Sequence, residues 1–380
     1  MSPIRRKVRV MLSLPPHVHS GDLAAEPLAP GALSAGFAAL LAAPLPGLAA
    51  FDGFALAEAD LPWAKQLPAA AAGQAVTFLL AGRWHVAREH DVWVEPGVAF
   101  HARIAGRGPL YNPMFNTGTL IAPHDGPVEI ARAVSEWADE DGRLFTPVDS
   151  YVQGEGRIEG IALFWQGDPL MGLQALAARG DVGGLVAAEI ARLQFAPSVP
   201  AGWRYYHQFG DGGIFSAHGD EICCHTHKNV GVLQRDVSLP LEAGATIDWR
   251  WIVEELPADV PEDQALTHDY LSIAVEFDDG RDITYMWSAG LPVGTVFPCP
   301  LPFWTAIETH MVARSGVAEL GRWLPESRNL FEDYKAHIGG NATRITRVWM
   351  IANSVFLRGS GSCRYAGIRI RGNGWHETLL

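Results

Sequence analysis

Cysteine is scarce: four residues in a chain of 380, two of them adjacent. That count excludes a disulfide framework. The neighbours Cys223 and Cys224 could pair only through a strained ring, so free thiols are expected. Basic clusters are also missing: arginine is scattered and the net charge is −13. Phosphate recognition needs gathered positive charge, so a nucleic-acid partner is excluded and acidic polymers are disfavoured as substrates. Long apolar runs are absent too. Val8–Leu14 is broken at Pro15-Pro16, and Ala35–Phe51 carries Pro44 and Pro46. Neither is a signal core or a membrane span, so a cytoplasmic protein without membrane partners is expected. There is no Gly-x-Ser-x-Gly, no phosphate loop and no dinucleotide fingerprint, which argues against nicotinamide, flavin or ATP chemistry.

What is present is apolar and rich in turn residues. Hydrophobic residues make up 48% and charged ones 19%, the balance of a well-packed globular protein. The length suits two domains. With 40 Gly and 26 Pro the chain can make many turns, which favours an all-β fold. The 13 Trp read mainly as β-core residues, with ligand contact as the alternative.

Residues 1–70 read as an irregular leader with one short helix at Ala35–Ala42. Short strands separated by turn signals then run from Ala75 to Gln166 and indicate a β-sandwich over 71–168. Pro169–Arg179 and Val182–Gln194 read as two helices, taken as a connector over 169–200. From 201 to 380 the pattern is β again. Asp278-Asp279-Gly280 makes a hairpin turn, and about eight antiparallel strands fit a jelly roll.

The chemistry-bearing residues concentrate in that second half. In Cys223-Cys224-His225-Thr226-His227 the two histidines leave one face of a strand, with Cys224 facing away from His225. Glu308-Thr309-His310 repeats the spacing, and His268-Asp269-Tyr270 opens a strand between them. Imidazoles near neutral pH can exchange protons, and carboxylate and phenol groups can orient them. The set His225, His227, Asp269, Tyr270, Glu308 and His310 is therefore the expected catalytic group. The same residues could instead hold a transition metal, with His225 and His227 joined by Glu308 or His310. The bland alternative is polar residues at strand ends. Leu271–Phe277 alternates, leaving Ser272, Ala274 and Glu276 on a face that would form a ligand groove. Tyr285 and Trp287 share a face and could form a stacking platform, as could Tyr206. The loop Tyr111–Gly118, with Tyr111 and Asn116, suits contact with a ligand or with the other domain, although turn chemistry alone explains Asn-Pro and Asn-Thr-Gly.

Two resemblances follow from quoted stretches. Phe100-His101-Ala102-Arg103-Ile104, followed by Gly118–Val128 with its Ala122-Pro123, resembles bacterial galactose-binding lectin sandwiches of the galactophilic type over roughly 70–167. That resemblance implies a sandwich with a calcium- and sugar-holding loop after Val128–Val134. The loop here, Ser135–Gly142, is acidic but lacks the Asn pair, a departure that counts against both calcium and sugar binding. Trp249-Arg250-Trp251, Tyr285-Met286-Trp287 and Gly321-Arg322-Trp323 leading into Glu326 and Asp333-Tyr334 resemble an uncharacterised bacterial family of carbohydrate-module-like jelly rolls. That resemblance implies a fold and no activity.

The expectation is thus an all-β chain of two sandwich domains. Its leading function is a cofactor-independent lyase, hydratase or isomerase acting on a neutral glycoside-like or aromatic small molecule. The alternatives are a non-catalytic carbohydrate-binding protein and a metal-dependent enzyme. Flat sandwich faces associate readily, so homo-oligomerisation is also an expectation.

Overall fold

The computed structural model describes residues 28–87, 92–113, 115–132, 155–194, 199–206, 214–228, 230–301 and 304–380. The acidic loop Ser135–Gly142, most of the 1–30 stretch and Met114 lie outside the described residues. The fold is all-β and divides into two compact units: residues 28–194, and residues 199–206 with 214–380. No helix among the described residues is long and apolar enough to cross a membrane.

The first unit has two sheets. One contains β1 (Leu48–Leu56), β9 (Glu155–Trp165), β3 (Ala75–Ala87) and β4 (Val92–Val94) in that order, with β7 (Thr117–Ile121) also pairing β3. The other runs β2 (Lys65–Ala70), β8 (Gly126–Arg132), β5 (Phe100–Ile104), β6 (Arg107–Tyr111). Phe54 and Phe78 from the first sheet meet Phe100 from the second at 5.6 and 4.9 Å between ring centroids. The opposite face of the first sheet is covered by helices, because strand alternation turns Leu79, Ile161 and Leu163 that way. Those helices are α1 (Ala32–Leu40), α3 (Pro169–Ala177) and α4 (Leu185–Gln194); a single turn, α2 (Pro96–Ala99), precedes β5. Asp168 starts α3 by accepting from Leu170 N at 2.9 Å with Pro169 in the first turn. Asp181 serves α4 in the same way, accepting from Val186 N and Ala187 N.

These placements bear on the sequence reading of 1–70 and 169–200. Leu33 and Phe37 of α1, and Leu173, Leu176, Leu185 and Val186 of α3 and α4, are buried in one core with the sheet. The segment read as a leader supplies a helix and two strands, and the helices read as a connector form a layer of the first unit.

The second unit is a sandwich. Its seven-stranded sheet runs β10 (Arg204–Tyr205), β13 (Val230–Pro240), β20 (Arg344–Asn353), β15 (Tyr270–Phe277), β16 (Asp282–Ser288), β18 (Glu308–Ser315), β17 (Val296–Pro298). The pair β16–β18 is parallel, and the other pairs are antiparallel. The second sheet runs β11 (Phe215–His218), β12 (Glu221–His227), β21 (Ser360–Gly372), β14 (Thr246–Glu255), β19 (Leu324–Asn329), with β22 (Trp375–Thr378) on β21. A single core lies between them. Leu271, Ile273, Val275, Tyr285 and Trp287 face it from one sheet, and Ile222, Trp249, Trp251, Tyr365 and Ile370 from the other.

The far face of the seven-stranded sheet is where this unit departs from a plain sandwich. Tyr270, Ser272, Asp282, Thr284, Ser288, Glu308 and His310 lie there, and all are buried. The groove expected beside Ser272, Ala274 and Glu276 is therefore closed, with only Glu276 half-buried. Part of the cover is the irregular stretch 256–269 between β14 and β15. It packs closely on the turn after β20: a Cβ on Gly359 would meet Pro257 O at 2.5 Å.

Candidate metal centre

Strand pairing builds the floor of the site. Asp282 and Thr284 on β16 stand in register with Glu308 and His310 on β18, so all four project from the same face. Tyr270, at the start of β15, reaches the same spot. Two residues from outside these strands complete it. His268 comes from the 256–269 stretch, and Cys299 follows β17, its N–H bonded to Glu308 O at 2.9 Å.

One ligand atom from each of His268, Cys299, Glu308 and His310 lies within 4.8 Å of the other three, and all four residues are buried. His310 Nε2 is 3.4 Å from Glu308 Oε2. The Cys299 thiol is 3.5 Å from His268 Nε2. Donors around a tetrahedral zinc ion sit roughly 3.3–3.8 Å apart, given bonds of about 2.0–2.3 Å. Both separations fall in that range.

The surroundings fix each donor. His268 Nδ1 donates to Glu262 O at 2.7 Å, which leaves Nε2 with its lone pair aimed at the cluster. Glu308 Oε1 accepts from Thr284 Oγ1 at 2.9 Å and, at longer range, from Tyr270 OH at 3.4 Å. The His310 ring is boxed in: Phe297 stacks parallel at 5.1 Å, while Tyr270 and His268 meet it edge-on at 5.0 and 4.7 Å. Yet neither His310 nitrogen makes a hydrogen bond, although both are buried. A buried polar nitrogen without a partner is costly. A metal between Nε2 and the neighbouring donors would satisfy Nε2, while Nδ1 would still need an acceptor.

Burial and the neighbouring charges set the ionisation of these groups. Burial holds His268 neutral, down at about 3, with His310 acting in the same direction. Burial works to raise the Glu308 carboxyl, but the adjacent His310 imidazole, with a bond to the Cys299 thiol, holds it down at about 2. Asp282 is pushed well up by burial and by the charge of Glu308. Burial and Glu308 also raise the Tyr270 phenol and the Cys299 thiol. The four donors are two borderline imidazoles, a soft thiol and one hard carboxylate. That set fits zinc and does not fit calcium or magnesium, which take oxygen ligands.

The residues singled out from sequence are distributed unevenly about this centre. Glu308, His310 and Tyr270 belong to it. Asp269 is adjacent but turned away, accepting from Phe356 N at 3.0 Å and Leu357 N at 2.7 Å. Burial raises its carboxyl to about 7 against those two bonds. His225 and His227 lie on β12, in the other sheet, and are exposed. Cys224 and Thr226 take the inward positions of that strand, so its two imidazoles face outward and away from the core; His227 Nδ1 meets Ser360 Oγ at 2.8 Å.

Tyr285 and Trp287 form no platform. Both are wholly buried between the sheets, because strand alternation turns them to the core while Thr284 and Ser288 take the other face. Glu276 pairs with Arg347 at 3.1 Å, and Tyr206 stacks on Trp349 at 5.4 Å, elsewhere on the far face. Tyr111 and Asn116 belong to the first unit. The Tyr111 ring lies 6.0 Å from Phe78, and Asn116 bridges Glu95 and Gly97 N as loop structure. The residues missing from the sequence reading are Cys299 and the ligand role of His268. His268 precedes the strand it serves, and Cys299 sits in Pro298-Cys299-Pro300, a lone thiol with no partner spacing to mark it.

The model of a family described as a protein of unknown function, DUF3047, matches residues 214–369, the stretch that contains all four donors. No curated protein matches the chain. Among solved structures, the chain is similar to the xyloglucanase domain of NopAA, a type three effector from Sinorhizobium fredii, in complex with cellobiose. That likeness has 7% identity and a TM-score of 0.30, covering 47% of this chain and 96% of that one. It is also similar to an exo-beta-agarase, at 13% identity and a TM-score of 0.21, covering 48% of this chain and 25% of the other. Both of these neighbours are carbohydrate-active proteins, and likenesses at these scores carry no argument about activity.

Proposed function

We propose that the second unit is a metal-binding jelly roll in which His268, Cys299, Glu308 and His310 hold one zinc ion. The observation that carries this reading is His310: a wholly buried imidazole, locked by three rings, with no hydrogen bond of good geometry at either nitrogen and its Nε2 turned to Glu308 Oε2 at 3.4 Å among three further donors. Metal analysis of the desalted protein is the test. About one zinc per chain supports the reading, and no zinc before or after reconstitution overturns it.

A second reading, proton transfer by the same groups, draws on a separate observation. Asp282 and Glu308 are register partners, one carboxyl pushed up by burial and the other held down by its neighbours, the pattern by which paired carboxylates divide acid and base roles. It would make the unit a cofactor-independent lyase, hydratase or isomerase on a neutral glycoside-like or aromatic molecule. Asp282→Asn separates the two readings: it would abolish such turnover and leave zinc content intact.

A further inference from the structure

The geometry points to a fastening role for the metal, in place of a catalytic one; this rests on the zinc-binding reading above. Four protein donors saturate a tetrahedral ion, whereas catalytic zinc keeps a position open for water or substrate. All four donor residues are buried. They also come from separate stretches: His268 from the irregular 256–269 segment, Cys299 from beyond β17, and Glu308 with His310 from β18.

Those stretches differ in how they are otherwise held. β18 has a ladder with β16 on one side and β17 on the other. The 256–269 segment has no ladder and is tied by individual side chains. Glu262 accepts from Ser288 Oγ and Ala289 N, both at 2.5 Å, and Asn353 Nδ2 donates to His268 O at 2.9 Å. A zinc bond to His268 would add a cross-link from this segment to the sheet where the ladder supplies none. The face it covers is lined with Asp282, Thr284 and Glu308, groups that would take up water if uncovered. Metal occupancy therefore governs whether the polar face of the seven-stranded sheet is sealed.

Hydrogen exchange on the full chain tests this, comparing zinc-loaded protein with protein stripped by a chelator. The expected result is at least about tenfold faster exchange in 256–269 and around Cys299 on stripping, with β15 and β20 unchanged. Equal protection in both states, in a protein that binds one zinc, overturns the fastening role and leaves the zinc reading standing. Failure to bind zinc at all overturns both. Cobalt substitution gives an independent readout that needs no variant. Strong four-coordinate bands with a thiolate charge-transfer band support closure, and a weak five- or six-coordinate spectrum contradicts it.

Discussion

The Cys299 thiol lies 3.5 Å from His268 Nε2, although 31 residues separate them and neither belongs to a long strand. The contact joins two connecting stretches above β18, at a point where Glu308 and His310 rise to meet them. It is the closest approach between the parts of the centre that the strands do not themselves position.

The first prediction separates this centre from the histidine pair on β12. His268→Ala and His310→Ala should leave less than about a tenth of the wild-type zinc content, because each removes a ligand from a four-donor set. His225→Ala and His227→Ala should leave it unchanged and shift stability by no more than about 0.5 kcal/mol, since both side chains are exposed. Zinc analysis and urea denaturation of the four variants check both statements.

Thr284 orients a donor without touching the ion. Its hydroxyl bonds Glu308 Oε1 at 2.9 Å. Thr284→Val keeps the shape and removes the bond, so zinc affinity should fall by roughly 10- to 100-fold with the fold retained. Competition against a chromophoric chelator measures it; unchanged affinity would show that Glu308 needs no such support.

Trp287 is the clearest case of a residue whose role the sequence leaves open. Its indole is wholly buried, packs against Trp251 at 5.5 Å and donates to Gly316 O at 2.9 Å. Trp287→Ala should destabilise the second unit by about 3–5 kcal/mol. A loss below about 1 kcal/mol would mean that the core relaxes around the gap or that the ring is not central to it.

In the first unit, His101 sets a pH dependence. Its ring is buried, with Nδ1 3.2 Å from Ala99 O and Nε2 accepting from Asn112 Nδ2 at 3.3 Å. Burial lowers its folded-state value to about 4, below the ordinary 6.5 of an unfolded histidine. Between those values the unfolded chain binds the proton and the folded one does not. The contribution is therefore complete above about pH 6.5 and is lost as pH falls toward about 4, amounting to roughly 3 kcal/mol. Urea denaturation across that window should show the slope in the wild type and a flatter one in His101→Gln.

Much of the fold is legible in the sequence because strand alternation is local. Leu271, Ile273, Val275 and Phe277 read as one inward face, and that is the face they present to the core. The role of 169–194 was harder to read, because the apolar stripe of a short helix looks the same on a linker as on a sheet. Only the packing of Leu173, Leu176, Leu185 and Val186 distinguishes the two. For the site, the Glu308–His310 spacing is visible within one strand, and Tyr270 can be placed near a strand start. What sequence cannot carry is which strands become neighbours. The parallel β16–β18 pairing sets Asp282 beside Glu308, and the two connecting stretches bring His268 and Cys299. His225 and His227 drew attention through spacing, but spacing does not say which face of a strand looks outward.

X-ray absorption at the zinc edge of the purified, desalted protein tests the central claim most directly. The account predicts four-coordinate zinc with one sulfur and three nitrogen or oxygen neighbours. A protein that retains no zinc, or zinc in a shell without sulfur, would contradict it.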